Sequence, residues 1–130
     1  MIARSLMSRY DNADGGVADK RRALMVEAGS VVAECGGLPP QLLVRLNQVR
    51  SEWDAGNASK DLRSAVKHEC WSFLQGKHGN SYSIVDREDR TIRAMLCLLE
   101  SPGDRGAASD LAEWVQEMLG PYYGEHAQDS

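Results

Sequence analysis

Apolar residues recur along most of this chain at intervals of three and four, the period of one face of an α-helix. The first clear run covers about Ala18 to Cys35. Val17, Leu24, Ala28, Val31 and Cys35 fall on one stripe, with Met25 and Val32 beside it. Gly36-Gly37 ends it, because glycine accepts the left-handed conformation common just past a helix. Gly29, inside the run, is either a cost to the helix or a place where another element packs closely. Pro39-Pro40 opens a second helix, where a missing N–H does no harm, and Leu42, Leu46, Val49 and Trp53 form its narrow stripe. Asp54-Ala55-Gly56-Asn57 turns the chain. Asn57 or Ser59 then caps a third helix, which runs to about Gln75.

Residues 76–82 read as a loop. Ser83 to Asp86 has capping-box spacing and opens a fourth helix over 84–100. Its second half, Ala94 to Leu99, is apolar on every side, which predicts a helix buried all round. A fifth helix runs from about Ala107 to Leu119 and is stopped by Gly120-Pro121. At the ends, Ile2, Leu6 and Tyr10 lie four apart, so residues 1–16 are a short helix or a docked arm. Residues 17–123 hold the helical bundle, and the polar residues 124–130 read as a mobile tail.

The pattern predicts an all-α fold: a single-domain bundle of about five helices packed around the central apolar helix at 84–100. Composition points the same way, with fourteen Ala and thirteen Leu against one Thr and one Phe. A chain of 130 residues can bury one substantial core and would starve two. No segment approaches the ~20 apolar residues of a membrane helix, and no signal-peptide run opens the chain. Cys35, Cys70 and Cys97 are odd in number and lie within or at the end of apolar helical patterns. They predict buried, reduced thiols and a cytoplasmic protein without a membrane partner.

The net charge of −4 matters only once it is placed on helices. Residues 1–65 carry +1 and residues 66–130 carry −5. Asp110, Glu113 and Glu117 share the outer face of the fifth helix, with no Lys or Arg four residues on. Glu113 and Glu117 are a like-charge i,i+4 pair, mildly unfavourable in an isolated helix. Such a ridge can steer a basic partner. The third helix gathers Lys60, Arg63, Ser64, Lys67 and Trp71 on its non-core face. That Trp71 packs under residues 1–16, anchors a partner protein, or lies on a helix that meets phosphates. The last reading uses the helices at 40–54 and 58–75 as a helix-turn-helix pair. The acidic balance counts against it.

Glu69 falls within the core stripe of the third helix, between Ala65 and Phe73. A carboxylate there needs a partner, and Arg90 or Arg93 of the fourth helix is expected to supply it as a buried ion pair. The functional version of the same residue is a raised-pKa acid lining the pocket of a small enzyme or ligand-binding protein. His68, Cys70 and His78 lack zinc spacing. His68-Glu69 has Ser72 where a metalloprotease helix needs a second His. Gly76-Lys77-His78-Gly79 offers Lys77 and backbone N–H groups as a weak anion site.

The chain thus yields no catalytic set, no metal site and no cofactor. The leading expectation is a small acidic protein that binds a protein partner with a basic surface, in the manner of an inhibitor, antitoxin or immunity protein. Asp110, Glu113 and Glu117 steer, while Trp71, Arg63 and Lys67 anchor. Behind it stand a DNA-binding regulator, a protein centred on Glu69, and a homodimer in which the ridge meets the basic face of a second copy.

Overall fold

The structure is a computed structural model that describes residues 1–56, 59–80, 83–100 and 103–128, with side chains as far as Tyr122. The described residues form six helices and no strand: α1 (Ile2–Asn12), α2 (Val17–Glu34), α3 (Pro40–Asp54), α4 (Lys60–His78), α5 (Arg87–Leu99) and α6 (Arg105–Gln128). The fold is therefore all-α. Residues 1–16 contribute a true helix, because Ile2, Leu6 and Tyr10 all reach the core. The Ala3 N–H, one of the unpaired donors at the start of α1, is taken up by Gln116 Oε1 of α6 at 2.8 Å.

The remaining boundaries depart from the sequence pattern for identifiable reasons. Ser59 caps α4 by accepting from the Leu62 N–H at 3.2 Å, while Asn57 lies outside the described residues. α4 continues past Gln75, so Lys77 and His78 form its last turn rather than a loop. Gly79 ends it at φ +67°, a conformation glycine adopts without strain. α5 starts at Arg87, not at residue 84, because the capping carboxylate is Asp86, which accepts from the Asp89 N–H at 2.9 Å.

The largest departure is in α6, which does not stop at Gly120-Pro121 but passes through Pro121 to Gln128. Proline lacks the N–H that would bond to the Glu117 carbonyl. Arg90 of α5 replaces it, donating from Nη2 to the Glu117 oxygen at 2.7 Å and from Nε to the Met118 oxygen at 2.8 Å. The stretch 124–128, expected as tail, is thus the end of this helix. Asp129 and Ser130 lie outside the described residues.

α2 packs against α1, α3, α5 and α6, whereas α5 packs against α2, α4 and α6. The helix with most neighbours is therefore α2, where the apolar pattern had put 84–100. Even so, Ala94, Met95, Leu96, Leu98 and Leu99 of α5 are all buried. Leu6, Leu24, Leu46, Val66, Met95, Leu98 and Leu119 bring fully buried side chains from all six helices into one core. Gly29 of α2 allows close packing: a Cβ there would lie 2.8 Å from Arg50 Cγ of α3.

Arginines close the helix ends from outside. α2, α3 and α5 have no basic residue in their own last turns. Arg87 of α5 donates to the Cys35 carbonyl after α2. Arg22 of α2 donates to the Trp53 carbonyl at 3.0 Å, and to that of Asp54, at the end of α3. Arg63 of α4 donates to the Leu99 carbonyl of α5 at 3.3 Å. Each places a cation on carbonyls at or just past the C-terminal end of a helix, the negative end of its dipole, and the Trp53 carbonyl also accepts from the Gly56 N–H at 3.0 Å.

Candidate functional site

Asp110, Glu113 and Glu117 are all exposed on α6, and among the described residues none of them enters an ion pair. The basic face of α4 is differently employed. Arg63 is turned onto the end of α5, and Lys67 Nζ lies 2.7 Å from Glu100 Oε1. With Lys60 and Ser64 they rim a shallow hollow closed by Leu99 and Glu100. Trp71 is 40% exposed, as its place off the core stripe implies. α1 packs on α6 and α2, so the N-terminal segment is not what Trp71 packs beneath. Its flank is taken by Arg93 of α5, whose guanidinium carbon sits 5.0 Å from the ring centroid.

The expected pairing of Glu69 with Arg90 or Arg93 does not form. Glu69 is exposed and binds Arg45 of α3, at 2.8 Å from Nε and 2.7 Å from Nη2. A residue on the margin of a stripe faces whichever neighbour lies on that side, and here that neighbour is α3. Arg90 is spent on α6, and Arg93 lies against the Trp71 ring instead. A pocket centred on Glu69 therefore loses both its burial and its partners.

The buried acid is Asp89, which sequence reasoning missed. It shares the core stripe of α5 with Ile92, Leu96 and Leu99, spaced three, seven and ten residues on, so the sign that singled out Glu69 was present here too. Asp89 Oδ2 accepts from His78 Nε2 at 2.8 Å and from the Val85 N–H at 2.9 Å. Lys77 Nζ lies 3.1 Å from Oδ1, within ion-pair reach but outside hydrogen-bond alignment. Burial pushes this carboxyl up, but His78, the Val85 amide and Lys77 outweigh it and hold it at about 2. Because the carboxylate is ionised, the imidazole proton sits on Nε2.

Lys77 also binds Asp86 at 2.8 Å and Glu88 at 2.9 Å. Asp86 foremost, with Glu88 and Asp89, raises its pKa above that of an ordinary lysine. An ammonium already matched by three carboxylates has little left for an external anion, which corrects the anion-site reading of residues 76–79.

Beside this hub the end of α4 and the face of α5 leave a cleft of about 310 Å³, walled by Trp71, Leu74, Gln75, His78, Asn80 and Arg93. That lies at the small end of the range for small-molecule sites.

Neither the sequence nor the fold matches a known family, a curated protein or a solved structure. Among the described residues no three His, Cys, Asp or Glu side chains are placed to hold a metal ion, and no helix is long and apolar enough to cross a membrane.

Proposed function

We propose that this chain acts by binding another protein that carries a basic surface, as an inhibitor, antitoxin or immunity protein does. The observation that carries the reading is the row Asp110, Glu113 and Glu117, exposed along α6 and, among the described residues, in no ion pair. Three like charges within two turns work slightly against their own helix. They also set up a local field that raises the encounter rate with a cationic partner. Trp71 supplies an amphipathic anchor one helix away. Arg93 and Arg90, neighbours on α5, reach to Trp71 on one side and to the backbone of the ridge helix on the other, so anchor and ridge border the same helix. Arg63 and Lys67 hold the end of α5 and drop out of the anchor. The same commitment weakens a DNA-binding role for α3 and α4. Three thiols without a disulfide support a reducing compartment such as the cytoplasm.

The test is affinity capture from the native host with the wild type and with an Asp110→Asn, Glu113→Gln, Glu117→Gln variant, followed by association kinetics on the captured protein. Association is expected to slow by about tenfold or more in the variant and to fall steeply with salt in the wild type. Equal association rates for the two proteins would sink the reading.

A further inference from the structure

We infer that the cleft between the end of α4 and α5 is a binding site for a small organic carboxylate with a flat, apolar body. The inference shares Trp71 with the protein-binding reading but not the acidic ridge that carries it, and rests on how the arginines are used. Arg22, Arg63, Arg87 and Arg90 donate to main-chain carbonyls. Arg45, Arg50 and Arg105 donate to side-chain oxygens. Arg93 is half-buried like Arg90, yet among the described residues it has no carboxylate or carbonyl acceptor. Its contact is with the Trp71 ring, and a cation–π contact uses the charge of the guanidinium rather than its N–H groups. The five-donor fork therefore remains available at the wall of a cleft, in the geometry that a carboxylate accepts in bidentate fashion.

The rest of the wall narrows the ligand class. Trp71 and Leu74 offer apolar surface, and Gln75 and Asn80 offer amides. His78 cannot swing freely, because its Nε2 is tied to buried Asp89. A flat hydrocarbon body gains from the aromatic wall. Charge excludes a polyanion. Lys77 is outnumbered by Asp86, Glu88 and Asp89 next to the cleft, so the neighbourhood is net negative apart from Arg93. One uncommitted guanidinium balances one negative charge.

Benzoate is a suitable probe, with benzamide as its neutral counterpart and inorganic phosphate as the bare anion. In ¹⁵N-labelled full-length protein, benzoate is expected to shift the Trp71 indole N–H and the Gln75 and Asn80 side-chain amides saturably. Benzamide, and benzoate with Arg93→Gln, should each bind at least about tenfold more weakly, the loss of one charge-assisted contact. Arg93→Lys keeps the charge without the fork and keeps the test alive if Arg93→Gln does not fold; it too should weaken benzoate. Glu113→Gln, on the ridge, should leave benzoate affinity unchanged, which separates this site from the acidic ridge. The inference is overturned by the absence of saturable shifts at about 20 mM benzoate. It is equally overturned by undiminished binding to the folded Arg93 variants, or by phosphate shifting the same resonances as strongly.

Discussion

Asp89→Asn removes one charge from the junction of α4 and α5 while keeping the side-chain shape. The carboxylate serves three groups: His78 Nε2, the Val85 N–H and the Lys77 ammonium. An asparagine offers one oxygen, and its NH₂ must face at least one of those donors. With its oxygen in the Oδ2 place, both hydrogen bonds survive but drop from charge-assisted, each worth ~1.5–3 kcal/mol, to neutral ones, and the NH₂ takes the Oδ1 place against the Lys77 ammonium. The ammonium keeps Asp86 and Glu88, which limits the damage. The expected loss is about 3 kcal/mol, the lower end of what breaking a buried pair costs. For a chain of this length that lowers Tm by roughly 10 °C. Urea unfolding followed by circular dichroism at neutral pH measures it, with an unchanged m-value confirming that only stability moved.

The pH dependence supplies a second check. The Asp89 carboxyl is depressed to about 2 in the folded protein against an ordinary 3.8. Its stabilisation is therefore complete above the ordinary value and is lost as pH falls through the folded value. The gap between wild type and variant should shrink from pH 4 towards pH 2. Asp86 and Asp11 are also held low, by Lys77 and Arg105 respectively, and add the same acid sensitivity to both proteins. A loss below about 1 kcal/mol at pH 7, or a gap that stays constant into acid, would refute this account of the hub.

Further perturbations follow from the packing. Gly37→Ala would place a Cβ 2.2 Å from Thr91 Oγ1 and 3.0 Å from the Arg87 carbonyl. It should cost ~1–3 kcal/mol by thermal melting, and an unchanged Tm would contradict the tight approach of the α2–α3 connection to α5. Arg90→Ala should cost ~1.5–3 kcal/mol in the wild type and about 1 kcal/mol less in a Pro121→Ala background, where the Glu117 carbonyl regains a helical donor. A double-mutant cycle without coupling would show that Arg90 does not compensate for the proline. Burial pushes the Cys70 thiol up to about 12, so a thiol reagent should label it at neutral pH only as fast as the protein unfolds. Rapid labelling of the native state would contradict its burial.

What could be read from the chain divides by the range of the cause. Stripes such as Leu42, Leu46, Val49 and Trp53 come from one helix's own period, and all four are buried. The exposure of Asp110, Glu113 and Glu117 is equally local. Pro121 deceived the pattern because its remedy, Arg90, donates to a carbonyl 27 residues away. Glu69 found Arg45 instead of Arg93 because a helical wheel gives the angle of a side chain but not the identity of the helix beyond it. Asp89 was legible in principle as an acid on an apolar stripe. The cleft was not, since it arises where the last turn of α4 meets α5.

The borrowed arginines also govern how the molecule comes apart. α2 is closed by α5, α3 by α2, and α5 by α4. None of these ends has its arginine until the lending helix has docked, so a fragment lacking α5 leaves the Cys35 carbonyl without Arg87 and Arg63 without its acceptor. Fraying, the usual cheap opening of a helix terminus, becomes coupled to separation of whole helices. Amides in the final turns of α2, α3 and α5 should then exchange with solvent nearly as slowly as those of the core.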